Sequence, residues 1–367
     1  MPPLVSVVVP VYNAAATVVA AVESVLAQTH RDLEVLIVDD GSPDDSIERC
    51  RRLGDPRILI LQQANRGLAG ARNTGIRHCH GAFIGFLDSD DLWDPAKVER
   101  HLEHFRRRPE VGLSFSCSRF IDEAGEPLGI LQLGRLTDIT PQYLFCRNPI
   151  GNGSSVLMRR EALEAIAFRA NVHGEEETFY FDDTFRQSED VECWLRLALT
   201  TDWRIEGIPD VLTSYRVNNS GLSANVMKQY ESWQRVLAKA SSYAPDFVRL
   251  HGDQARAYQL RYLARRATQL RLPALALRLI HRALLLHWQL LLEEPRRTLI
   301  TLLAAWLLLL LPPPLYRRLE AAMFSFTGAS QRRTIARSQR RGARSAEAAL
   351  PPGSAGENGS IGGWSRR

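Results

Sequence analysis

The chain has 367 residues, enough for two domains or for one large domain with an extension. Its 45% hydrophobic and 24% charged content suits a folded soluble protein and excludes a disordered or fibrous one. The net charge of +5 is concentrated in the last quarter without an interleaved set of aromatics, which argues against a nucleic-acid partner.

Met1-Pro2-Pro3-Leu4 carries neither a basic nor a long apolar region, so no signal peptide is expected. Cys50, Cys79, Cys117, Cys146 and Cys193 are odd in number and lack metal spacing, as expected of reduced thiols in the cytosol. Leu4 to Val9 is a near-continuous apolar run closed by Pro10, the pattern of a strand covered on both faces. Tyr12-Asn13 follows, then a helix presenting Val18, Ala21, Val22, Val25 and Leu26 on one face, with Asn13 as its cap. A second strand, Leu33 to Val38, ends in Asp39-Asp40-Gly41-Ser42. Ser42 and Pro43 read as the cap and first residue of the next helix. Arg57 to Leu61 is a third strand, and Asn65 to Gly75 opens a glycine-rich helix. A fourth strand, Ala82 to Leu87, runs into Asp88-Ser89-Asp90-Asp91, and Asp94-Pro95 starts the following helix.

Strand and helix in alternation mean a mostly parallel sheet with helices on both faces, whose ligands bind beyond the carboxyl ends of the strands. Every unusual polar cluster lies at such an end. Three carboxylates behind a buried strand are costly unless a cation or ligand donors neutralise them. Oxygen-only ligands suit Mn²⁺ or Mg²⁺, and a solvated turn is the plainer alternative. Asp39 sits where an acid commonly bonds a ribose or base edge. Arg72 reads equally as a diphosphate ligand or a surface arginine. No P-loop lysine and no G-x-G-x-x-G follows the first strand, which weighs against an ATPase or a dinucleotide dehydrogenase.

The segments Val5 to Asn13, Val38 to Ser42, Asn65-Arg66-Gly67 with Ala71-Arg72-Asn73, and Phe86 to Asp91 together resemble the family 2 glycosyltransferases of the bacterial, non-processive type. The resemblance covers about the first hundred residues. It implies an α/β fold of the GT-A (Rossmann-like) kind acting on nucleotide sugars. Pro10, Tyr12, Asn13, Asp39, Arg72 and Asp88 would hold the nucleotide, with Asp90 or Asp91 on a metal that bridges the donor diphosphate.

Val111 to Ile121 reads as one or two strands, and the stretch to Leu136 is less patterned. Gly151 to Met158 is a loop entering a strand, and Arg160-Glu161 starts a short helix. His173 to Asp183 is acidic and aromatic, expected to be a mobile loop or part of an acceptor lid. Ser188-Glu189-Asp190 heads a helix. Alone it is a cap with first-turn acids; the resemblance makes Asp190, beside Glu189, the general base, and a helix N-terminus would keep it ionised and weakly basic. Leu212 to Val217 is a last strand leading into 218–223, and Arg216 is a candidate contact for the leaving diphosphate.

From Tyr230 to about Glu293 the pattern is helical, with a break at Pro273. Thr298 to Leu311 is uncharged and Leu-rich. It is too short to span a bilayer and is flanked by arginines, which suits a membrane interface, or a buried helix of the extension, better than a crossing. The tail from Gln331 is basic and expected to be disordered.

The expectation is therefore a catalytic domain at 1–226 (donor half 1–118, acceptor half 119–226), a helical extension at 227–328 with apolar segment 298–315, and a tail at 329–367. The function expected is inverting, metal-assisted sugar transfer from a nucleotide sugar, UDP-linked by preference, to a saccharide or lipid-linked saccharide in cell-surface polysaccharide or glycolipid assembly. The site would lie at the inner face of the cytoplasmic membrane. A nucleotidyltransferase acting on sugar phosphates and an inactive nucleotide-binding scaffold are the alternatives.

Overall fold

In the computed structural model, residues 4–172, 174–217 and 226–316 are described. Val5–Val11 (β1), Leu33–Asp39 (β2), Ile58–Gln62 (β3) and Phe83–Phe86 (β4) are the strands of the first third, with Val18–Leu26 (α1), Ser46–Arg51 (α2) and Gly67–His78 (α3) between them. They pair in parallel in the order β3-β2-β1-β4. All seven residues of β1 are buried because both faces are covered. Val7, Val9 and Val11 pack with Val18 and Val22 of α1, whereas Val8 packs with Ala71 and Ile76 of α3. Each such valine contributes roughly 1.5–3 kcal/mol of burial. Gly75 lets α3 ride directly on Val8, since any β-carbon there would strike that side chain.

The middle of the chain contributes Leu92–Trp93 (β5), Lys97–Arg107 (α4), Val111–Ile121 (β6), Pro127–Gln132 (β7), Pro141–Cys146 (α5), a 3-10 turn at Gly153–Ser155, Val156–Arg159 (β8), Arg160–Ala165 (α6), Phe168–Asn171 (β9), Glu176–Phe179 (β10), Glu189–Thr200 (α7) and Arg204–Arg216 (β11). The sheet continues from β4 through β8, β6 and β11 to β5, with β7 on β6. It is mixed: β8 is antiparallel to β4 and β6, β11 is parallel to β6, and β5 is antiparallel to β11. The acidic and aromatic stretch is no loose lid. Glu176–Phe179 pairs antiparallel with Phe168–Asn171, Glu177 bridges Arg66 and Arg77, and Phe179 and Phe181 are buried.

Val226–Tyr243 (α8), Pro245–Gln269 (α9), Pro273–Leu286 (α10), Leu290–Glu293 (α11) and Pro295–Leu310 (α12) form the helical part. It packs on the preceding part of the chain through Trp233, stacked on Phe145 of α5. α12 is turned inside out. Thr298, Thr301 and Ala305 face inward, while Leu299, Leu303, Trp306, Leu309 and Leu310 are exposed. Among the described residues no helix is long and apolar enough to cross a membrane. The expected basic tail and residues 218–223 lie outside the described residues.

Three expected caps are placed differently. Asn13 adopts a left-handed conformation ahead of α1, φ +53°. Ser42 donates from its backbone N to Asp39 Oδ1 (2.8 Å), and α2 starts only at Ser46. Ser188 is also left-handed and its hydroxyl caps nothing in α7.

Candidate active site

The carboxyl ends of β1, β2 and β4 deliver Tyr12-Asn13, Asp39-Asp40 and Asp88 to Asp91 to one edge of the sheet, where α3 begins. Pro10 lies in β1 opposite Val38, and Tyr12, just past the strand, is 54% exposed. Asp39 is largely buried and accepts from Ser42 N and from Gln62 Nε2 (3.3 Å). Its neighbour Asp40 accepts from Arg66 N and Gly67 N (both 2.8 Å), fixing the start of α3.

Arg72, in mid-α3, is fully buried and spans two acidic motifs. Its Nη1 donates to Glu189 Oε1 (2.9 Å) and its Nη2 to Asp88 Oδ1 (2.8 Å). Phe86 and Phe181 flank the guanidinium, 5.9 and 5.4 Å from ring centre to carbon. Arg72 is therefore not a surface arginine, and its two ion pairs fix the distance between the β4 end and the α7 start. Asn73 completes the joint, donating to Phe181 O (2.7 Å) and accepting from Tyr180 N and Phe181 N.

One cation therefore serves three carboxylates, Asp88, Glu189 and Asp190. Burial, then the negative charge of Asp190, pushes Glu189 up to about 7 despite its ion pair. Asp190 is also raised, by burial first, with Arg72 and the bond from Val191 N pulling the other way. The helix terminus does not keep Asp190 a weak base; desolvation outweighs it.

The acidic loop divides its tasks. Asp91 is completely buried and its Oδ1 accepts from Arg216 N (2.9 Å). Arg216 likewise has its guanidinium committed: Nε donates to Asp90 O, and Nη1 to Asp122 O and Glu123 O, each 2.8 Å. It fastens the acidic loop to the turn between β6 and β7. Asp90 keeps a partly open carboxylate, as does Asp88, and burial and Asp88 raise Asp90 to about 6. Among the described residues no three metal-ligating side chains converge on one point. A single desolvated carboxylate nevertheless fits a hard cation that draws its other ligands from phosphates and water.

Two contributors were missed. Ser154 Oγ accepts from Asp88 N (3.0 Å), and Gly153 leaves room for Arg72, whose guanidinium a β-carbon would meet. The Gly151 to Ser155 loop was visible as a loop, but nothing local joined it to Asp88 and Arg72, 66 and 81 positions earlier.

A four-strand parallel half, a mixed second half and acidic groups at the strand ends define a glycosyltransferase of GT-A architecture. The family model for glycosyl transferase family 2 matches residues 6–167. An Escherichia coli UDP-Glc:alpha-D-GlcNAc-diphosphoundecaprenol beta-1,3-glucosyltransferase, WfaP, is 30% identical over 64% of this chain and 85% of its own length. An E. coli chondroitin synthase is 42% identical over 34% of this chain, which spans only 18% of that relative. In fold, the chain is similar to the Pyrobaculum calidifontis mannosyltransferase PcManGT, solved with GDP-Man and Mn²⁺ (TM-score 0.53, 23% identity, 84% of this chain and 87% of that one). It is also similar to Staphylococcus aureus TarS 1-349 with UDP-GlcNAc (TM-score 0.52, 15% identity, 81% and 89%). The chain belongs to glycosyl transferase family 2.

Proposed function

We propose that the protein transfers a sugar from a nucleotide diphosphate sugar to an acceptor hydroxyl with inversion. The observation carrying this reading is the double ion pair of Arg72, which joins Asp88 of the acidic strand end to Glu189, next to Asp190. Pro10, Tyr12, Asn13 and Asp39 border the nucleotide; the exposed Tyr12 ring offers a face for a base. Asp88 is held by Arg72 and Ser154 at the diphosphate. Asp90 is the group that would hold Mn²⁺ or Mg²⁺, which when bound neutralises charge on the leaving diphosphate.

Asp190, made more basic by burial, takes the acceptor hydroxyl's proton as that oxygen attacks the anomeric carbon. The bond from that carbon to the diphosphate oxygen breaks, and the nucleotide diphosphate leaves on the opposite face. One displacement inverts the configuration, and no protein nucleophile is needed. Arg72 and Arg216 act as positioning residues, not as direct diphosphate ligands.

The donor is taken to be UDP-linked, in keeping with the donor named for WfaP. The acceptor is taken to be a lipid-linked saccharide in cell-surface polysaccharide or glycolipid assembly at the cytoplasmic face of the membrane. The outward leucines and the 40% exposed Trp306 of α12, preceded by exposed Arg296 and Arg297, support an interfacial helix whose arginines would sit at headgroup level. The proposed division is a catalytic domain ending near residue 226 and a helical extension that brings it to the lipid.

The test is calorimetric binding of UDP, GDP, TDP and CDP, with Mn²⁺ and with EDTA, to the wild type and to Asp90→Asn. Metal-dependent binding of UDP, lost in the folded variant, is expected. Equal binding in EDTA would remove the metal from the reading, and no binding of any nucleotide would overturn it.

A further inference from the structure

Beneath the acidic loop, on the side away from the cleft, lies a buried lysine that the transfer reaction does not use. Lys97, at the start of α4, is wholly inaccessible. Its Nζ lies 2.9 Å from Ser155 O, 3.2 Å from both Ser116 Oγ and Thr213 Oγ1, and 3.3 Å from His101 Nε2, with the Trp93 ring at 5.1 Å. The neighbours come from β6, β11, β5, the 153–155 turn and α4 itself, and these contacts include no carboxylate. His101 is the one titratable group it bonds. Burial alone drives the ammonium form down, so nothing local compensates a fixed charge there.

From His101 a file of hydrogen bonds leads outward. His101 Nδ1 is 2.7 Å from Ser114 Oγ, which is 2.8 Å from His104 Nδ1, and His104 Nε2 is 3.5 Å from Glu206 Oε2. Arg108 donates to the other Glu206 oxygen (2.7 Å) and also to Glu110. The direction of the file follows from its outer end. Arg108 already donates to Glu206 Oε1, which leaves Oε2 to accept from His104 Nε2–H, so His104 accepts at Nδ1. The Ser114 hydroxyl then donates to His104 and accepts from His101 Nδ1–H. That leaves the His101 Nε2 lone pair facing Lys97. Lys97, His101 and Ser114 have no exposure, whereas the His104 and Glu206 side chains keep 12% and 7%.

We propose that Lys97 is a positioning residue for the donor side of the cleft, and that His101, Ser114, His104 and Glu206 carry protons between its amine and the surface. The first half rests on the donor-site reading above. Lys97 and Thr213 grip the carbonyls of Ser155 and Ser154, Trp93 Nε1 donates to Ser154 O (2.8 Å), and Ser154 Oγ holds the backbone of Asp88. The amine thus sets the height of the turn on which the acidic strand end rests. In the relay, Lys97 gives one proton to His101 Nε2 and His101 Nδ1–H passes to Ser114. The Ser114 proton passes to His104 Nδ1, and His104 Nε2–H passes to Glu206. One proton enters, one leaves, and Lys97 becomes neutral.

The test follows the Lys97 Nζ protons by NMR in lysine-labelled full chain, wild type against Ser114→Ala. Slowing of their exchange with water by an order of magnitude, at unchanged melting temperature, is expected; an unchanged rate overturns the relay. Hydrogen exchange of residues 86–91 and 152–156 in Lys97→Met reports positioning. Loss of protection there, with α9 and α10 unaffected, is expected; unchanged protection overturns it. If Lys97→Met fails to fold, Ser116→Ala and Thr213→Val each remove one partner of the amine and carry the same expectation. Neither readout needs a substrate. UDP affinity weakened about tenfold in Lys97→Met connects the positioning to the donor site. Failure of wild-type UDP binding, with both exchange results intact, overturns the donor-site reading alone.

Discussion

Arg72 meets Glu189 across 117 residues of sequence in a site that excludes water from both partners. Removing the guanidinium would leave the buried Glu189 and the half-buried Asp88 without their shared cation. Arg72→Met is expected to destabilise by about 3–5 kcal/mol. Urea denaturation measures this, and Glu189→Gln in the same background should recover part of the loss, because one of the stranded charges is gone.

Asp190→Asn keeps the shape of the cleft but cannot take a proton. Transfer is expected to fall by roughly 10²–10⁴, with nucleotide affinity unchanged by calorimetry. Comparable loss of binding and turnover would mean that Asp190 holds the donor and is not the base.

The pH dependence follows from the crowding of acids around one arginine. Glu189 is pushed up to about 7 and Asp190 is raised beside it, so the pair retains a proton on the acid side of neutrality. Activity should rise with pH through that range as the base ionises. In Glu189→Gln the like charge is absent, and the rising limb should move to lower pH. The sign for stability is the reverse. A carboxyl whose folded pKa exceeds its unfolded one is stabilised by its proton, and that contribution fades as pH climbs from 4.5 toward 7. Melting curves of wild type and Glu189→Gln across this window check it: the decline should be shallower in the variant.

Leu303 and Leu310 are 56% and 68% exposed on α12. Leu303→Glu with Leu310→Glu should leave folding nearly unchanged, within about 0.5 kcal/mol each. Sedimentation with phosphatidylglycerol vesicles should fall about tenfold or more, since two apolar anchors are lost. Undiminished sedimentation would remove α12 from the membrane reading.

The donor half was legible because its strands are covered on both faces and end in polar clusters, so local pattern and topology agree. β7 was not, since Gly129 interrupts it and Leu128 and Ile130 are exposed on it. β10 was hidden by its glutamates, which are held by arginines of other elements. The beginning of β11 was masked by Gly207 and Pro209. The identities of the candidate acids were readable from spacing, but their division of labour was not. Whether Asp90 or Asp91 stays open depends on Arg216, 125 positions from Asp91. The apolar run of α12 was plain in composition, while its orientation depends on which residues the other helices accept, and they accept the threonines.

Arg216 gathers the carbonyls of Asp90, Asp122 and Glu123 on one guanidinium, and its own amide is taken by Asp91. The hairpin of β6 and β7 and the loop at the end of β4 are thereby geared together. Any tilt of the hairpin would therefore reach the backbone of Asp90 through a single side chain.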